Sequence, residues 1–305
     1  MKLPSITLKR QLSVGSIIVL SGILLSSCGI GVEDNPVPKQ TFDVSADKEL
    51  VRDLPDSIED KGTLNIAVAV GSAPDVFQDE FGNLVGWEVD VAKAATDKLD
   101  LNPEFSEISF DSIIPGLQAQ RYDIAFGQIG VTSERMKKID QVATGLGNQA
   151  FAAPSDTDTV VPDISALCGM KIGITRGSRQ QEFAEEQTKK CTTEGKEPIA
   201  IQVYDDGTKA NLAMLSGRAD VSWSGSTSMN YFVKVSKGKA DIVGHHLQPY
   251  PLGGALSKDS EFSQSYADAV NALIEDGTYE KIMNKWGIPD SIIDEAVVNP
   301  EVKDQ

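Results

Sequence analysis

Leu64-Asn65-Ile66-Ala67-Val68-Ala69-Val70 is apolar at every position except Asn65. A near-continuous run of this kind is what a strand buried on both faces of a sheet requires. The residues after it decide the fold class. Val91, Ala94, Ala95 and Leu99 recur at helical spacing, and Asp90 stands near the start of that helix, where a negative charge opposes the helix dipole. Glu104 to Ile108 reads as a second strand, Asp111 is placed to cap a helix carrying Ile113, Ile114 and Leu117, and Tyr122 to Phe126 reads as a third strand. Strands alternating with helices predict an α/β fold with a mostly parallel sheet.

The same rhythm restarts after about residue 155. Lys171 to Thr175, Ile199 to Tyr204, Ala219 to Trp223 and Ala240 to Val243 read as strands, with helices opening at Gly177-Ser178, Thr208 and Ser226. Two α/β units in succession predict two lobes with a cleft between them. Phe262, Tyr266, Ala269, Val270 and Leu273, then Tyr279, Ile282 and Trp286, mark two amphipathic helices after the second unit is complete. The chain is therefore expected to return to the first lobe, crossing near Gly147 to Pro154 and near Gln248 to Ala255. On this reading residues 62–150 and 252–290 form lobe 1, 151–251 lobe 2, and 291–305 a C-terminal tail.

The N-terminal segment reads as an address. Lys2, Lys9 and Arg10 precede an apolar core from Val14 to Leu25, which is too short to span a bilayer. The adjoining Leu25-Ser26-Ser27-Cys28 resembles a bacterial lipobox. That resemblance implies a signal peptide over 1–27 and lipidation of Cys28, with several acyl chains anchoring the chain to a membrane surface. Residues 28–61, rich in Asp, Pro and Lys, are expected to form a flexible tether with a short helix around Lys48 to Arg52. The formal charge is −17 at pH 7, and loss of the three leader cations would make it more negative. Such acidity excludes a nucleic-acid partner. Cys168 and Cys191 form either a disulfide, which an oxidising exported compartment favours, or two buried thiols. The adjacent His245 and His246 have no further His or Cys near them, so a solvated or hydrogen-bonded pair is expected rather than a metal site.

Several ordered motifs carry a family resemblance over residues 62–287. They are Leu84-Val85-Gly86-Trp87-Glu88-Val89-Asp90, Phe110-Asp111-Ser112-Ile113-Ile114-Pro115-Gly116-Leu117, Tyr122-Asp123-Ile124-Ala125, Val131-Thr132-Ser133-Glu134-Arg135, Leu215-Ser216-Gly217-Arg218-Ala219-Asp220 and Asp276-Gly277-Thr278-Tyr279-Glu280-Lys281-Ile282. In this order the chain resembles the bacterial extracellular solute-binding proteins of polar amino acid ABC transporters, family 3. The resemblance implies a type II periplasmic-binding-protein-like fold, each lobe a mixed, mostly parallel sheet flanked by helices, joined by a two-strand hinge. It also implies capture of a small polar solute, an amino acid or a relative, by lobe closure. The implied partner is an ABC permease, and the implied location is the outer face of the cell membrane. A monomer without cofactor, metal or catalytic residues is expected. Cys168-Gly169 and Cys191 look like the extra disulfide of some Gram-positive members.

Within Val131 to Arg135, Thr132 can cap a helix beginning at Ser133, leaving backbone N–H groups free, and the Arg135 guanidinium offers two parallel donors to a carboxylate. The bland alternative is an arginine on a solvated helix face. The resemblance implies that Arg135 holds the ligand's α-carboxylate, that Ser178 after Arg176-Gly177 gives a second contact, and that Phe110 forms an apolar wall. It also brings Gln128, Gly130, Ser72, Gly225 and Trp223 to the cleft. Three of these depart from the family pattern. Gly225 stands where a carboxylate usually meets the ligand's ammonium, Ser72 where an aromatic usually stacks, and Gly130 where a small polar side chain is usual. Asp75 and Glu88 are the candidates for a substitute carboxylate, and Trp223 is either a face for a substituted ammonium or a core residue. Two other functions compete with solute capture: a sensory or assembly protein that keeps the lobes without binding, and a cleft dehydratase, which needs a general acid within hydrogen-bond reach.

Overall fold

The computed structural model describes residues 40–302, apart from the side chains of Leu247 and Gln248. The leader, its apolar core and Cys28 lie outside the described residues. No helix among the described residues is long and apolar enough to cross a membrane.

The chain begins with two short helices, α1 (Lys48–Arg52) and α2 (Asp56–Glu59), then strand β1 (Thr63–Ala69), a small hairpin of β2 (Phe77–Gln78) and β3 (Leu84–Val85), and helix α3 (Trp87–Lys98). Strand β4 (Asn102–Ile108), helix α4 (Ile113–Gln118), strand β5 (Ile124–Phe126) and the single-turn helix α5 (Ser133–Met136) come next. A long strand, β6 (Ile139–Pro154), leads to β7 (Lys171–Thr175), α6 (Arg179–Thr193), β8 (Ala200–Tyr204), α7 (Gly207–Leu215), β9 (Val221–Gly225) and α8 (Ser226–Val235). A second long strand, β10 (Ala240–Ser257), and helices α9 (Phe262–Glu275) and α10 (Thr278–Lys285) complete the order.

Eight strands join in the order β4-β1-β5-β10-β6-β9-β7-β8. Pairing is parallel on both flanks, β1 with β4 and β5, and β7 with β8 and β9. At the centre β10 and β6 run antiparallel along most of their length, from Ala240 opposite Pro154 to Ser257 opposite Ile139. These two strands belong to both halves and form the two-strand hinge. Their register shifts between His246 and Tyr250, with Tyr250 opposite Gly147.

Alternation along β1 explains the opening run. Leu64, Ile66 and Val68 enter a core shared with α3, α9 and α10, while Ala67 and Ala69 face the other way into a core with Ile113 and Leu117 of α4. Large residues on one face and alanines on the other let helices cover both sides of a parallel sheet. Gly86 starts α3 because nothing larger fits: its φ is +141°, and a Cβ there would lie 2.0 Å from the Asp75 carbonyl oxygen. In the second half, Ile172 and Ile174 of β7 pack with Leu167, Ala184, Ile199, Val221 and Trp223. A Cys168–Cys191 disulfide ties α6 to the turn before β7, so of the two cysteine readings the pair is bridged.

Two segments differ from expectation. The tether expected over 28–61 is not free along its later part: Asp47 caps α1 and Leu54 and Ile58 are buried in the first core, with Phe42, Val44 and Leu50 against it. Its charged composition describes the outer faces of two short helices whose few apolar residues point inward. The expected tail 291–305 is likewise packed through residue 299. Ile293 and Ala296 are buried, Val298 bridges to Val142, and the Asn299 side chain donates to Asp140 at 2.9 Å.

Candidate functional site

The two halves meet across one cleft. The Thr208 N–H and hydroxyl both donate to the Gly71 carbonyl, at 3.2 and 3.1 Å, and a Cβ on Gly177 would lie 3.1 Å from the Asp111 side chain. Between them is a cavity. The first half contributes Ser72, Phe110, Gln128, Gly130 and Arg135, the second Thr175, Ser178, Arg179, Trp223 and Ser224, and the hinge contributes Tyr250.

Arg135 is the best-defined member. It lies in α5, whose N-cap Thr132 accepts the Arg135 N–H through Oγ1 at 3.1 Å. The residue is only 8% exposed. Its Nη1 donates to the Gly130 carbonyl at 3.0 Å, and the guanidinium sits 5.6 Å from the centre of the Phe110 ring. Among the described residues no carboxylate forms an ion pair with it. Burial pushes its pKa down, the charge of Glu182 offsets part of that, and the charge of Arg179 adds a smaller push downward. A guanidinium stays protonated in proteins, so this is a buried positive charge with donors to spare.

Gly130 lends its carbonyl, which also accepts from Gln141 Nε2 at 3.2 Å, and its lack of a side chain leaves room for the Tyr250 ring, 2.9 Å from a hypothetical Cβ. Ser178 is buried and caps α6, accepting the Gln181 N–H at 3.3 Å. The expected cap by Asp111 does not form. Its carboxylate accepts from the Ser109 hydroxyl at 2.5 Å, and a short 3-10 turn over Phe110–Ser112 leads into α4 instead. Trp223 is buried within an aromatic group with Phe151, Phe183 and His246, and its indole N–H has no partner among the described residues. It is thus both core and cavity wall.

Gly225 does not line the cavity, because Gln128 fills the space its side chain would take. A Cβ on Gly225 would lie 2.2 Å from Gln128 Oε1. Gln128 adopts a left-handed φ of +59°, its N–H donates to Glu88 at 2.9 Å, and its Nε2 donates to Asp75 at 2.8 Å. The candidate substitutes Asp75 and Glu88 therefore stand behind Gln128 and not at the cavity. Both are fully buried, and Asp75 also accepts the Trp87 indole N–H at 2.7 Å. Burial pushes the Asp75 carboxyl up to about 7 and that of Glu88 to about 8, the charge of Asp75 adding to the second shift.

Sequence reasoning missed Arg179 and Tyr250. Arg179, the first residue of α6, is half-buried, with its guanidinium 4.9 Å from the Phe183 ring centre and 5.2 Å from that of Tyr250. A cation in the first turn is repelled by the positive end of the helix dipole, and that local anomaly was the available signal. Tyr250 lies in a Pro-Tyr-Pro run that reads equally well as connector. Arg176, two residues before Ser178, is exposed instead. His246 packs among aromatics, and no metal-ligating group of three or more occurs among the described residues.

Residues 64–289 match the profile of the bacterial extracellular solute-binding proteins, family 3. An arginine-binding protein of Corynebacterium glutamicum is 27% identical over 303 residues, covering 99% of each chain. Among solved structures, an ancestral arginine-binding protein bound to arginine aligns with a TM-score of 0.69 at 29% identity, over 74% of this chain and 98% of that one. An ancestral amino acid-binding protein described as a precursor of cyclohexadienyl dehydratase aligns at 0.68 and 27%, over 76% and 98%.

Proposed function

Because the chain belongs to family 3 of the bacterial extracellular solute-binding proteins, we propose that it captures an amino acid or a related small carboxylate-bearing solute in this cleft and delivers it to an ABC permease. It works outside the cytoplasm, held to the outer face of the membrane by lipid on Cys28, and acts as a monomer. The observation that carries the reading is Arg135: a buried guanidinium, unpaired by any described carboxylate, at a cavity between two halves that touch. Burying a charge without a counter-charge costs several kcal/mol, and proteins retain such groups where a ligand supplies the compensation.

The chemistry of the lining supports binding. The cavity is lined by hydroxyls, amides, aromatics and two arginines. Closing the halves around a solute changes the outer surface, which is the signal a permease reads.

Thermal unfolding of ligand-stripped protein against amino acids and small organic acids tests this. A true ligand at one hundred times its dissociation constant adds about 2.7 kcal/mol of stability. Consumption of that ligand would replace the reading with an enzymatic one, and no shift across the panel would favour a lobed protein that binds nothing.

A further inference from the structure

The charge around the cavity is one-sided. Arg135 and Arg179 both line it, and each lacks a carboxylate partner among the described residues. The charge of Arg179 lowers the pKa of Arg135, while that of Glu182 on the same helix as Arg179 acts the other way and more strongly. No aspartate or glutamate is part of the lining. The carboxylates nearby are all committed or displaced. Asp75 and Glu88 accept from Gln128 and are not on the lining, and burial raises both toward the neutral form, although the charge of Asp75 still reaches Tyr250. Asp206 caps α7 and pairs with Lys209 at 3.0 Å. Asp111 and Glu182 are exposed, and although the charge of Glu182 reaches Arg135, it makes no ion pair with it among the described residues.

The opposite pole is closed as well. Gln128 Oε1 occupies the place where a side chain at Gly225 would stand, and its Nε2 is held by Asp75. The neutral amide leaves a single acceptor oxygen where an ammonium needs a counter-charge. The other polar side chains on the walls are hydroxyls that donate as readily as they accept, the neutral amide of Gln180, and the indole N–H of Trp223, which only donates. A cationic group entering here would meet two guanidiniums and no carboxylate on the lining itself.

We propose that the solute is a small organic anion carrying neither an ammonium nor a guanidinium group, its carboxylate clamped between Arg135 and Arg179 while Gln128 fills the ammonium position. This deepens the function proposed above and rests on it. It separates the chain from relatives named for arginine, whose ligand carries two cationic groups.

Titration calorimetry on the full chain, freed of co-purified solute by unfolding and refolding, tests the inference with matched probes: propionate against alanine, succinate against aspartate, glutarate against glutamate, and arginine alone. At least one deaminated acid should bind ten times more tightly than its amino acid partner, and arginine should not bind. Arg179→Gln should weaken that acid tenfold or more with an unchanged melting temperature. The double substitution Gln128→Ala with Gly225→Asp should move the preference toward the amino acid, because it opens the space and supplies a carboxylate. Equal or tighter binding of an amino acid by the unaltered chain, arginine included, overturns this inference and leaves solute capture standing. Unchanged affinity in Arg179→Gln overturns the clamp. Silence from every probe overturns both readings.

Discussion

The two halves of this molecule are built to the same plan with unequal means. The first buries Leu64, Ile66, Trp87, Tyr266 and Leu273 in a continuous core, because α9 and α10 return from the far end of the chain to pack on α3. The second has a smaller main core around Phe151, Ile172, Ile174 and Trp223, and adds a covalent bond between residues 23 apart. Small units bury a lower fraction of their surface, and cross-links offset that deficit by restricting the unfolded chain. The cleft inherits the same inequality. The first half supplies a deeply buried guanidinium and a Gln128 fixed at two points, while the second supplies the half-buried Arg179 at a helix start. One wall presents its charge buried and the other half-exposed.

Leu273→Ala should have the largest effect, about 2–5 kcal/mol in denaturant unfolding, because it leaves a cavity under a closed helix layer. Loss of less than about 1 kcal/mol would mean that the first core is looser than its packing indicates. Replacing both Cys168 and Cys191 by Ala should cost about 3 kcal/mol and fall on the second half. Hydrogen exchange should then show α6 and β7 opening before β1, and uniform loss of protection would erase the distinction between the halves.

Acidity sharpens the comparison on the first side. The folded pKa values of Asp75 and Glu88, about 7 and 8, lie above the ordinary carboxylate range near 4. Between about pH 4 and 8 the unfolded chain releases these protons first, so stability falls as pH rises through that window, by up to about 1.4 kcal/mol per pH unit per group. Melting temperature should therefore rise on going from pH 8 to pH 6, and Asp75→Asn should flatten the slope. A wild-type slope of the opposite sign would mean that both groups ionise freely in the fold.

Arg135→Ala should weaken binding of a carboxylate solute at least tenfold without unfolding the protein, as calorimetry on the variant would read. Smallest of all, Ser178→Ala should cost about 1 kcal/mol through the lost cap of α6. A cost near zero would show that the second wall is held by the Arg179 and Tyr250 contacts instead.

Much of the architecture was legible because its signals are local. Both-face burial of β1 follows from its run of apolar residues, and the amphipathic period of α9 shows on adjacent turns. In residues 42–59 the short helix at Lys48 to Arg52 forms as expected, but composition did not reveal that Leu54 and Ile58 beyond it are buried in the core. The residues proposed for the cleft converge on one cavity, Gly225 excepted. That exception could not be read along the chain, since it arises from the Gln128 side chain crossing from the other half.

The sequence by itself determined the alternation of strands and helices, the two successive units, and the arginine placed in a capped turn. Period and capping depend on neighbours within a few residues, so one-dimensional order is enough to encode them. Only the tertiary structure decided that Asp75 and Glu88 are hidden, that Arg179 faces Tyr250, and that Gln128 stands in for an absent side chain. Solvation and charge compensation depend on which distant groups share a space, and that is set when the halves meet.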